Sequence, residues 1–137
     1  MQAKDYLKQA YRLNELIQCN KLELTNLRYL SDDIPGVDYS KDRVQTSPSC
    51  EARFVKTVHK IIDLENAIYA DIEKLLSLKL EIRTVINAVK DNEERLLLKH
   101  RYLNFMQWDD ICVVMNVSMR TAHRIHTAAL ANVKVPD

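Results

Sequence analysis

Residues 108–126 read Trp-Asp-Asp-Ile-Cys-Val-Val-Met-Asn-Val-Ser-Met-Arg-Thr-Ala-His-Arg-Ile-His, and this stretch decides the fold. Ile111, Met115, Val117, Ala122 and Ile125 are spaced so that two short helices share one apolar seam. Cys112 is a small residue where the two helices approach. Asn116 stands at a turn that needs a left-handed backbone, which Gly and Asn adopt most readily. Ser118 follows as an N-cap. The second helix is expected over 118–130, presenting Ser118, Met119, Arg120, His123, Arg124 and Thr127 outward. Two helices joined in this way, with a polar and basic outer face, form a helix-turn-helix whose second helix fits a DNA major groove.

Working upstream, Asp91 with Glu94 three residues on is a variant of the capping box. It predicts a short helix through Leu103, with Leu96, Leu97, His100 and Leu103 near one face and Asn104 as its stop. Residues 51 to about 90 carry Phe54, Val58, Ile61, Ile68, Ile72, Leu75, Ile82, Ile86 and Val89 at alternating steps of three and four. Glu65 and Lys79 interrupt that stripe. Residues 3–30 repeat the pattern with Ala3, Tyr6, Ala10, Leu13, Ile17, Asn20, Leu24 and Leu27. Asn20 is a polar member of the seam, set either to fix register or to lie partly exposed. Between them, residues 31–50 carry the turn chemistry of Asp, Ser, Pro and Gly and are expected to form a mobile loop. Ser47 followed by Pro48 is a helix start.

An amphipathic helix of this length needs a partner along its stripe. The expected architecture is therefore all-α. A long antiparallel helical hairpin over residues 1–90 precedes a helix-turn-helix domain over 91–137. The first helix is too short to cover the second, so self-association as a homodimer through the hairpin is expected.

Composition agrees with an all-α chain. There is one Gly and there are three Pro in 137 residues, with 47% apolar residues. The net charge is only +1, but it is unevenly distributed. No acidic residue falls between Asp110 and Asp137, whereas Arg120, Arg124 and Lys134 do, and His123 and His126 are expected to add charge at mildly acid pH. Few phosphates would be neutralised, which implies a shallow salt dependence. The three Cys, at 19, 50 and 112, form no C-x-x-C pair and suggest reduced thiols in a cytoplasmic protein. No apolar run approaches the ~18 residues of a membrane span. A single Gly excludes a phosphate-binding P-loop. No nucleophile, base and orienter are grouped, so a non-enzyme without cofactor or metal is expected. His123 and His126 share a helix face but have no Cys or carboxylate beside them to complete a metal site. Trp108, at a helix start, reads as a core residue.

Glu94-Arg95 with Arg101-Tyr102-Leu103, then Ile111, Val117-Ser118, Thr121, Ile125 and Ala129-Leu130, resemble region 4 of sigma-70-type transcription factors. That resemblance implies major-groove reading of a promoter element, with Ser118, Met119, Arg120, His123, Arg124 and Thr127 facing DNA, and contact with host RNA polymerase. Gln107 and Met119 depart from the family pattern, which prefers a Ser or Thr cap and a basic residue there. The regions that melt promoters have no counterpart. Tyr6-Leu7, Gln9-Ala10-Tyr11, Leu13, Val44-Gln45, Ser47 and Ile61-Ile62-Asp63-Leu64-Glu65 extend a similarity to ArpU-type late-gene regulators of phages and prophages of Gram-positive bacteria. This implies a sequence-specific transcriptional regulator bound to double-stranded DNA. Two alternatives stay open: a small-terminase-like DNA-packaging factor, and a polymerase-binding adaptor that touches no DNA.

Overall fold

In the computed structural model the described residues are 1–32 and 48–137. They are all-helical, with no strand among them. Helix α1 spans Ala3–Asp32 and α2 spans Pro48–Asn87. Helix α3 spans Asn92–Leu98 and continues into a π-helical turn, Lys99–Leu103. Helices α4, Trp108–Met115, and α5, Met119–Asn132, follow. The expected loop over 31–50 and the Ser47 cap lie almost wholly outside the described residues. Helix α2 begins at Pro48, where a missing N–H costs nothing.

The chain divides into two compact units. One comprises Met1–Glu15 with Glu73–Asp137, the other Leu16–Ile72. In the first, Tyr6, Leu7 and Ala10 of α1 are buried with Ile82, Ile86 and Val89 at the end of α2, Leu98, Tyr102, Ala129 and Val133. The start of one long helix lies against the end of the other, as in an antiparallel pair. The same core holds the back of α5, so the unit that contains the helix-turn-helix also takes in the first 15 residues of the chain.

In the second unit Ile17 and Ile68 are the buried apolar side chains among the described residues. Arg28 and Glu65 join its two helices by an ion pair. Glu65 breaks the apolar stripe of α2 because it faces that guanidinium. Lys79, the other break, sets its ammonium 4.5 Å from the centre of the Phe105 ring in the first unit. Asn20 is partly buried.

A candidate nucleic-acid interface on the helix-turn-helix

The small core beneath α4 and α5 is Leu97, Ile111, Ala122 and Ile125, flanked by Met106, Trp108, Cys112, Met115 and Val117. Of the five residues of the expected seam, Ile111, Ala122 and Ile125 are buried in it, and Met115 and Val117 are partly buried against it. Asn116 closes α4 with φ 56° and ψ 48°. This left-handed conformation turns the chain so that the Val117 N–H reaches back to the Cys112 carbonyl at 3.0 Å, while the Asn116 N–H donates to the Val113 carbonyl at 3.2 Å. Ser118 caps α5: its Oγ accepts from the Thr121 N–H at 3.2 Å and donates to Thr121 Oγ1 at 2.9 Å. Gln107 precedes α4 in an extended conformation and gives no side-chain cap.

Four of the six candidate residues, Arg120, His123, Arg124 and Thr127, recur at helical spacing on one face of α5, while Ser118 is its N-cap and Met119 its first residue. Arg120, His123, Arg124 and Thr127 are exposed and Met119 is 39% exposed. Ala122, Ile125, His126 and Ala129 on the opposite side are buried. Thr127 donates its hydroxyl to the His123 carbonyl at 3.0 Å. Met119 Sδ lies 4.0 Å from Cys112 Sγ. The His123 ring is tilted against Trp108, centroids 4.4 Å apart. Trp108 is partly buried and carries Arg101 over its ring at 5.0 Å. It therefore packs against His123 of α5, the packing role expected of it.

His126 corrects one expectation. It is 7% exposed, with its Nε2 2.7 Å from the Tyr102 hydroxyl. Burial, with Lys4, His123, Arg101 and Lys8 nearby, pushes its pKa from 6.5 down to about 4. It therefore adds no charge at mildly acid pH, and its Nε2 is already engaged. No group of three His, Cys, Asp or Glu able to hold a metal occurs among the described residues.

The helix before this unit also differs from expectation. Asp91 Oδ1 accepts from the Glu94 N–H at 3.1 Å, as a cap should. The Glu94 carboxylate instead accepts from Asn132 Nδ2 at 2.8 Å, tying the start of α3 to the end of α5. Asn104 stops the helix as expected, but through an N–H to the Lys99 carbonyl, the wider π spacing. The next residue, Phe105, has φ 56°, a strained value for a bulky side chain. Its ring is held edge-on by Tyr11, centroids 5.8 Å apart, and by the Lys79 ammonium. The π turn lets Arg101 Nη1 donate to the Met106 carbonyl at 2.9 Å and directs Tyr102 toward His126. The sequence shows Arg101 and Tyr102 only as part of a resemblance and gives no sign of Phe105 or of the contacts these three make, since a π turn has no composition of its own.

The family described as "Protein of unknown function (DUF1492)" matches residues 38–134. The match covers more than half of the chain, which belongs to that family. No curated protein and no solved structure matches it.

Proposed function

We propose that this member of the DUF1492 family is a sequence-specific DNA-binding transcriptional regulator of phage or prophage genes. It reads the major groove with the helix expected at 118–130, which forms as α5. The observation that carries the reading is the division of α5. One side is pinned in two cores, while the other carries Arg120, Arg124, His123 and Thr127 into solvent with no acidic residue between 110 and 137. An Arg at either position is able to pair bidentately with guanine, while Ser118, Met119 and Thr127 lie where a base edge or thymine methyl would come. The sigma region-4 resemblance supports the same docking and adds host polymerase as a proposed partner.

Self-association as a homodimer is part of this reading. In the Leu16–Ile72 unit, Leu16, Leu22, Tyr29, Leu30, Val55, Ile62 and Tyr69 are between 46% and 72% exposed. Val55, Ile62 and Tyr69 recur every seven residues, the spacing that seats a partner helix. A second copy of this chain supplies the same stripe, and a two-fold dimer would set the spacing of two half-sites.

The test is selection of bound fragments from a phage-plus-host genome by the full chain, with Arg120→Ala/Arg124→Ala in parallel. A discrete upstream site, lost in the variant with about 1–3 kcal/mol per Arg, is the expected result. Enrichment of a packaging site would favour the packaging function. No enrichment at low salt would overturn DNA binding altogether.

A further inference from the structure

A second basic feature lies outside the face of α5. A cleft of about 180 Å³ is lined by Lys8, Tyr11, Arg12, Glu15, Arg101 and Tyr102. All six belong to the unit formed by Met1–Glu15 and Glu73–Asp137. Lys8 and Arg12 are one helical turn apart on α1 and share a face. Arg101 enters from the π turn, held in place by its bond to the Met106 carbonyl and by the Trp108 ring. Three cations thus meet one carboxylate. Glu15 is the hydrogen-bond partner that raises the Tyr11 pKa. Among the described residues neither Lys8, Arg12 nor Arg101 has a carboxylate within ion-pair distance. Lys4 lies a further turn back on α1, and Lys4, Arg101 and Lys8 are among the groups that, after burial itself, lower the His126 pKa.

We propose that this cleft is a phosphate-binding site, in which Lys8, Arg12 and Arg101 hold one phosphate group. A planar guanidinium fixed by its own packing matches phosphate oxygens bidentately, and a lysine adds a point charge without fixing geometry. Two sources share that chemistry: the backbone of a DNA duplex and free phosphate. The backbone source rests on the DNA-binding reading above; the site itself does not. A backbone phosphate held here would extend the interface from α5 to α1, positioning the protein without reading sequence.

The experiment uses the full chain and Lys8→Ala/Arg12→Ala, two side chains outside the buried core, with helicity checked by circular dichroism. Arg12 and Arg101 side-chain resonances are followed by NMR during titration with inorganic phosphate and, separately, with a DNA duplex. Saturable shifts of both resonances with either reagent are expected in the native chain, and in the variant, followed at Arg101 alone, binding should be weakened about tenfold or more. With the duplex, the variant should also lose about one unit from the slope of log K against log salt, the amount for one phosphate. It should weaken all sequences alike, whereas Arg120→Ala/Arg124→Ala removes discrimination between sequences. Shifts with inorganic phosphate alone would assign the site to free phosphate and leave the backbone source rejected. Silence of both resonances with both reagents would overturn the site, whatever α5 does.

Discussion

The Tyr102–His126 pair shows how a single buried contact makes stability depend on pH. The imidazole is neutral in the fold because burial and four neighbouring basic groups (Lys4 and Lys8 from α1, Arg101 from the π turn, His123 from α5) oppose its protonation. The unfolded chain takes up that proton below about 6.5, the folded protein only below about 4. Between those values the unfolded state binds more protons, so stability falls as pH falls, by roughly 3 kcal/mol at most. Urea unfolding from pH 7 to 4 should show this extra loss in the native sequence and not in His126→Gln. Equal slopes for the two proteins would show that His126 is protonated in the fold. Tyr102, pushed up to about 12 by its own burial, stays a neutral hydroxyl across this range.

At the scale of elements, the turn of the helix-turn-helix is held by two residues of different kinds. Asn116 supplies a left-handed backbone, and Ser118 supplies an acceptor for the open N–H groups of α5. Ser118→Ala should cost about 1 kcal/mol. Asn116→Val should cost about 1–3 kcal/mol because a β-branched side chain resists positive φ, while Asn116→Gly should be close to neutral. Thermal unfolding followed by circular dichroism ranks the three. A Val variant as stable as the Gly one would mean that the turn is free to reshape. The π turn after α3 is the opposite case: its geometry comes from what Tyr102, Arg101 and Phe105 each bind, so no local residue signals it.

At the scale of the molecule, the exposed apolar stripe of the Leu16–Ile72 unit is one feature among the described residues that a single chain leaves uncovered. Sedimentation at micromolar concentration should give a dimer, and Ile62→Glu/Tyr69→Glu should give a monomer that stays helical. A ring of eight or more subunits would point to packaging, and a monomeric native chain would remove the two-fold arrangement from the proposed DNA site.

Local periodicity and capping made much of this protein legible. The seam of Ile111, Met115, Val117, Ala122 and Ile125, the Asn116 turn, the Ser118 and Asp91 caps and the two long helices all follow from spacing and from side chains acting within a few residues. So does the face of α5, because burying Ala122 and Ile125 leaves Arg120 and Arg124 outside. Contacts between distant segments required the tertiary structure. No local pattern says that Tyr6, Leu7 and Ala10 cover the back of α5 at Ala129 and Val133, that Glu94 turns to Asn132, or that Glu65 and Lys79 break a stripe because Arg28 and Phe105 await them. His126 looks like a titrating surface residue in the sequence and becomes a buried neutral one once α1 and the π turn close over it. Caps and helical periodicity act over three or four residues and can be read from the sequence. The field and the burial at a site are sums over everything that packs there, and only the folded arrangement sets them.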